Sequence, residues 1–217
     1  MKHRTVCVLF LFLPLILCLD SQIAAKTILV KGDVANLRAE PSGDSPKIAT
    51  LSKFTLLEDL ATSKNEYLKV RAKGEQTGWV RSSLLSRSPF VTITAEKANL
   101  REGPSKDHPV LWALGRRYPL RVEEVKDDYL KVKDYEGDEG WVHKSLVDFE
   151  AYVIVKHKEA NVRKGPGVDN PIVFKVLRGV ILKVKGEKND WLEIKHLDGD
   201  EGWISKNLVW GYKEEKA

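Results

Sequence analysis

Cysteine is nearly absent: the 217 residues hold two, Cys7 and Cys18, both near the start of the chain. Downstream there is no thiol for a disulfide, a thiolate metal ligand or a cysteine nucleophile, so apolar cores alone must stabilise the fold. Methionine is scarcer still, one against six Trp and six Tyr. Aromatics fit pleated surfaces, whereas long helices draw on Met, Leu and Ala, so a helical bundle is excluded in favour of β-rich units with small cores. No Lys/Arg block stands out either. The 36 basic and 31 acidic residues are interspersed for a net charge of +5, and without a concentrated positive field nucleic acid is not an expected partner. A long apolar run is also missing, since about 20 residues are needed to cross a bilayer and the stretch Val6 to Leu19 is shorter and broken by Pro14.

That stretch reads instead as part of a leader. Lys2 and Arg4 give a positive start, and Ile23-Ala24-Ala25 supplies the small residues of a processing site. A signal peptide over residues 1–25, cleaved after Ala25, is therefore expected. A retained anchor fits less well because the run is short, and lipid attachment at Cys18 is disfavoured by the large Leu17 before it. The chain is expected to be exported, either periplasmic or extracellular and cell-wall associated, with no integral membrane span after cleavage.

What the chain has in abundance is itself. ANLRAEPSGDSP begins at Ala35, ANLREGPSKDHP at Ala98 and ANVRKGPGVDNP at Ala160; farther on, three stretches align without a gap and place Trp79, Trp141 and Trp203 at equal intervals. Each unit is long enough to bury a small core of its own, unlike a solenoid repeat. The expected organisation is a first domain over residues 26–88, a second over 89–149, a third over 150–213 and a tail over 214–217. The joints near Ser88 and Phe149 lack a Gly/Ser-rich spacer, which predicts a semi-rigid row.

Within a unit the apolar period is two, as in Val91 and Ile93, Leu130 and Val132, Leu192 and Ile194, the pattern of strands with one buried face. Pro41 to Pro46, Pro104 to Pro109 and Pro166 to Pro171 must be ordered loops, because proline lacks the ladder donor. EGDEG and DGDEG read as hairpin turns. The short SSLL, KSLV and KNLV pieces after each Trp suit a single 3₁₀ turn. About five short strands per unit make a small barrel.

The order A-N-[LV]-R, a Pro-containing loop, [YW]-L-x-[VI], then G-W-[VI] and a short turn resembles the bacterial SH3 domain family, three times over. The resemblance implies an all-β fold of three tandem SH3-like five-stranded barrels. It also implies recognition of cell-wall peptidoglycan or its peptides. The first copy departs from the other two, with Glu40 where they have Gly103 and Gly165 and with one extra residue before Tyr67.

Candidate ligand-binding residues are aromatic. Tyr67, Tyr129 and Trp191 stand one place before the inward Leu of their strand, so alternation sends them to the outer face. There each ring can stack on a sugar or an apolar peptide side chain, or it can act as a lid over its own barrel. The position corresponds to a groove Trp of eukaryotic relatives, but Leu84, Leu146 and Leu208 replace the Tyr of their 3₁₀ turn, so a polyproline ladder is incomplete. Trp79, Trp141 and Trp203 are further candidates, with packing at a barrel edge or against a neighbouring module as the main alternative. The repeated Asn36, Asn99, Asn161 and Arg38, Arg101, Arg163 are expected to hydrogen-bond within the first loop.

No metal site and no cofactor are expected. The acidic turn Asp198, Asp200, Glu201 lacks the spacing of a calcium loop, and His108, His143, His157 and His196 do not recur beside a nucleophile or in a zinc spacing. The sequence is read as a non-enzyme, an exported binding protein for peptidoglycan or cell-wall peptides. The alternative is a periplasmic scaffold that binds an envelope protein, while a targeting fragment of an enzyme conflicts with a chain that starts with its own leader.

Overall fold

The period-two stretches form antiparallel strands throughout. The structure, a computed structural model, describes residues 26–72 and 74–212; the expected leader with Cys7 and Cys18 and the tail over 214–217 lie outside the described residues. The first module runs through β1 (Lys26–Val30), β2 (Val34–Arg38), β3 (Lys47–Ser52), β4 (Leu56–Lys64), β5 (Tyr67–Ala72), β6 (Thr77–Arg81) and β7 (Leu85–Ser86). The second repeats it as β8 (Phe90–Ile93), β9 (Lys97–Arg101), β10 (Val110–Gly115), β11 (Pro119–Lys126), β12 (Tyr129–Lys133), β13 (Glu139–His143) and β14 (Val147–Asp148). The third follows as β15 (Tyr152–Val155), β16 (Glu159–Arg163), β17 (Ile172–Leu177), β18 (Ile181–Lys188), β19 (Trp191–Lys195), β20 (Glu201–Ser205) and β21 (Val209–Trp210).

Each module is one seven-stranded sheet with the same order, β3-β2-β6-β5-β4-β1-β7 in the first. The count exceeds the five strands expected by two, and one of the two is the pair of residues after each 3₁₀ turn, too few to show a period, which pairs with the module's first strand, as Leu29 with Ser86 and Val30 with Leu85. The 3₁₀ turns themselves fall where the short post-Trp pieces predict, at Ser82–Leu84, Lys144–Leu146 and Lys206–Leu208.

Three separate cores fill the three sheets. Val91, Ile93, Leu130, Val132, Leu192 and Ile194 are all fully buried, each contributing about 1.5–3 kcal/mol of apolar transfer. Trp112 and Tyr118 pack against the second core and Phe174 against the third, and burial pushes the Tyr118 phenol well above its ordinary value. The hairpin turn of the second module is held by buried Asp134, whose Oδ1 accepts from the backbone N–H groups of Glu136, Gly137 and Asp138 at 2.9–3.0 Å. Gly137 supplies the left-handed backbone that this turn needs, at φ +99°.

The extra residue of the first module has a definite place. β4 and β5 slip register between Asp59 and Thr62, passing over Leu60 and Ala61, whereas the second and third modules skip a single residue at the equivalent bulge. Ala61 takes a left-handed φ of +54° there, and its N–H donates to Asp59 Oδ1 at 2.8 Å. The insertion is absorbed as a wider bulge, so β5 keeps its inward Leu68.

Aromatic side chains pack at the short joints. Leu29 and Phe54 of the first module belong to the second module's core cluster. Phe54 stacks on Phe149 with centroids 5.1 Å apart, beside a Lys53–Asp148 ion pair at 2.9 Å. Phe54 has φ +67°, where the corresponding residue of the third module is Gly179; a bulky side chain in this region is strained, and burial of the ring at the joint offsets that cost. At the next joint Phe90 meets Trp210 edge-on at 4.8 Å, and the Ser88 hydroxyl donates to the Tyr212 carbonyl at 2.7 Å.

Candidate ligand-binding site

The repeated Arg builds the site's floor. Arg38 Nη1 donates to the Ser45 carbonyl at 2.6 Å, Arg101 Nη1 to that of His108 at 2.9 Å and Arg163 Nη1 to that of Asn170 at 2.8 Å. A backbone bond closes the same loop in every copy, from Ala39 to Pro46, Glu102 to Pro109 and Lys164 to Pro171. These loops are therefore ordered walls with one geometry, and the loop-bonding role expected of the arginines is the one they have.

The wall's base differs between copies for a steric reason. A Cβ on Gly103 would lie 2.5 Å from the His108 ring, and one on Gly165 would lie 2.8 Å from Asn170 Oδ1. In the first module Ser45 replaces those larger side chains, and its hydroxyl accepts the Glu40 N–H at 2.8 Å. Glu40 is accommodated because its partner is small.

The aromatic stands at the start of β5, β12 or β19, and in the first module it lies beside the loop. Tyr129 and Trp191 are half-buried on the outer face, as alternation requires. Tyr67 departs from that expectation: it is only 6% exposed. Its strand position is unchanged, but two neighbours cover it. The Arg81 guanidinium, cross-strand from it, lies 5.7 Å from the ring centroid, and the loop at Gly43 comes close enough that a Cβ there would touch the Tyr67 hydroxyl at 3.7 Å. The same hydroxyl, as hydrogen-bond partner, holds Arg81 above its ordinary pKa. In the second module His143 occupies the Arg81 position, edge-on to Tyr129 at 5.1 Å, with Nδ1 accepting the Ser145 N–H at 3.2 Å. Ser205 occupies it in the third.

Trp79, Trp141 and Trp203 are half-buried and lie outside the three cores, on the same outer face. Each sits in a cross-strand row between the loop Arg and a charged residue: Arg38–Trp79–Lys69, Arg101–Trp141–Lys131 and Arg163–Trp203–Glu193. Lys69 Nζ is 6.0 Å from the Trp79 centroid. Lys131 bonds Glu139 at 2.8 Å, and that bond and its charge hold the Glu139 carboxyl below the usual range. Lys185 and Lys195 do the same for Glu201, whereas the first module has Thr77 at this position.

In the first module Asn36, Arg38, Gly43, Tyr67, Arg81 and Leu84 enclose a groove of about 120 Å³ between the loop and the 3₁₀ turn. Arg81, His143 and Ser205 were not singled out by the sequence, because they differ among the copies; their shared offset of two residues after the repeated Trp was the available signal. Among the described residues no group of three or more His, Cys, Asp or Glu is placed to hold a metal ion, and no helix is long and apolar enough to cross a membrane.

Comparison with known proteins agrees with this architecture. The bacterial SH3 domain profile matches residues 94–148 and 156–211, and a second profile of the same description matches residues 33–86. A protein of Bacillus subtilis (strain 168) named as an N-acetylmuramoyl-L-alanine amidase, YrvJ, is 23% identical over 213 residues, covering 83% of this chain; the chain spans 40% of that relative's length. Among solved structures, NlpC2 from Trichomonas vaginalis is 14% identical with a TM-score of 0.28, covering 59% of this chain and 51% of its own. An NlpC/P60 family protein from Bacillus cereus ATCC 10987 is 16% identical with a TM-score of 0.27, covering 58% and 57%.

The amidase relative corrects the expectation of a non-enzyme. Binding-type modules and the lack of a recurring His–nucleophile set were the grounds for it, yet a protein matching most of this chain carries the name of a hydrolase. Repeated modules therefore do not exclude an association with hydrolysis. With the family profile matched in all three sheets, the chain is a member of the bacterial SH3 domain family, carrying the domain in three tandem copies.

Proposed function

We propose that the chain is an exported, wall-associated array that binds peptidoglycan through its peptides and serves amidase-type hydrolysis of the wall. The observation that carries the reading is an outer-face aromatic position that recurs in each module together with an Arg-braced, proline-bounded loop, its ring half-open in the second and third modules. A half-open ring of this kind offers large contact area at low entropic cost, and two such platforms on packed modules sum weak contacts by avidity on a repeating polymer. Family membership and the amidase relative support the same reading.

The test is co-sedimentation of the chain with purified, protein-free peptidoglycan over a range of salt concentrations. Saturable pelleting that survives high salt is expected, because stacking and hydrogen bonds are screened far less than surface charge. Tyr129→Ala together with Trp191→Ala should weaken it by about tenfold or more, taking roughly 1 kcal/mol per ring lost. Pelleting that salt abolishes, or that the double variant leaves intact, refutes the reading and turns the search to a protein partner in the envelope.

A further inference from the structure

The groove of the first module has a chemical bias that its counterparts lack. Two guanidinium groups, Arg38 and Arg81, and the Asn36 amide line it, and no carboxylate does. Arg38 commits one N–H to the Ser45 carbonyl, which leaves four of the five donors that an arginine carries. Arg81 is exposed and, among the described residues, has no carboxylate within ion-pair distance; Glu66 adds only a weaker Coulombic influence. The Arg81 guanidinium lies 5.7 Å from the Tyr67 ring centroid, and both residues line the groove.

Size and access narrow the occupant. The groove is small, about 120 Å³, which suits the end of a peptide with a small last residue. Gly43 presents bare backbone beside the Tyr67 hydroxyl, where the other modules carry Lys106 and Val168. At the Arg81 position they carry His143 and Ser205, an imidazole without a permanent charge and a neutral hydroxyl. The first module alone therefore combines a permanent cation with an unobstructed loop backbone.

We propose that the groove of the first module is a carboxylate site, taking the free C-terminal end of a peptide whose last residue is small, and that the second and third modules do not share this requirement. The proposal rests on the wall-peptide reading and specifies which end of the peptide one module holds. A planar, delocalised guanidinium matches a carboxylate in a way that a lysine or a neutral donor does not.

The experiment titrates N-acetyl-D-alanyl-D-alanine and its C-terminal amide into the full chain, following the backbone amide signals of Asn36 and Gly43 by NMR. The acid is expected to move both signals saturably and the amide to bind at least about tenfold more weakly, as loss of one charge-assisted hydrogen bond implies. Arg81→Gln should bring the acid down to the amide's level while leaving the unliganded spectrum of the first module's core in place, and Arg81→Lys should recover only part of the preference. Equal binding of acid and amide, an unaltered preference in Arg81→Gln, or no shift at Asn36 and Gly43 with either probe overturns the assignment. Peptidoglycan pelleting of the same samples separates the two ideas. Pelleting with equal binding of acid and amide sinks the carboxylate site and leaves wall binding standing; acid-selective binding without pelleting does the reverse.

Discussion

The first module and its two successors share a strand order, a loop brace and a turn, yet they treat the same aromatic position differently. Tyr67 is enclosed by Arg81 and the Gly43 loop, whereas Tyr129 and Trp191 remain half-open beside His143 and Ser205. Strand alternation decides only the face on which a side chain emerges. What covers that face is decided by the residue across the strand and by the loop above. A ring can thus be a lid in one copy and an exposed platform in another without any change in the fold.

This difference implies unequal consequences for the same substitution. Tyr67→Ala removes a buried ring and should destabilise the first module by about 3–5 kcal/mol, the range for deleting a buried aromatic. Tyr129→Ala and Trp191→Ala should cost their modules no more than about 1–2 kcal/mol, because much of each ring is still hydrated. Three cores need not unfold as one unit, so the measurement is amide hydrogen exchange read module by module. Equal losses in all three modules would abolish the distinction between lid and platform.

That distinction also marks the limit of what was legible in the sequence. The repeats, the all-β class, the 3₁₀ turns, the ordered loops and the inward Leu–x–Val pairs follow from periodicity and from proline's missing donor, which are local. The loop role of Arg38, Arg101 and Arg163 was equally readable, since their carbonyl acceptors lie seven residues on. The covering of Tyr67 was not, because it depends on a cross-strand neighbour fourteen positions away and on the approach of another loop. Phe54, Phe149, Phe90 and Trp210, which pack the joints, were missed for a related reason. They are not repeated, so a reading that weights repetition passes over the residues that bind one copy to the next.

The base of the loop offers a second way to test how far the copies are interchangeable. Gly103→Glu in the second module imitates the first, but its Cβ would press into the His108 ring, and overpacking of this kind costs about 1–3 kcal/mol. Adding His108→Ser should recover most of the loss, since the pair then matches Glu40 with Ser45. Thermal unfolding of the two variants against the parent measures the recovery. Failure of the second substitution to rescue the first would mean that the glycine serves some purpose other than making room for its partner.

The smallest expected effect concerns acid. Lys131 holds Glu139, and Lys185 with Lys195 hold Glu201, each carboxyl lying below its ordinary value mainly because of the lysine hydrogen bond. A carboxyl with a depressed folded-state pKa contributes stability that is present above its unfolded value, near 4.3, and lost as pH falls through the folded one. Both pairs are on the surface, so the loss should be slight and should shrink further in high salt. The first module has Thr77 at this position and should show no corresponding acid-sensitive step there. Carboxyl carbon shifts of Glu139 and Glu201, followed by NMR from pH 7 to pH 2 alongside amide exchange in all three modules, test this. Midpoints at or above the ordinary glutamate value would remove the lysines as the cause and leave the first module distinguished only by its covered ring and its loop.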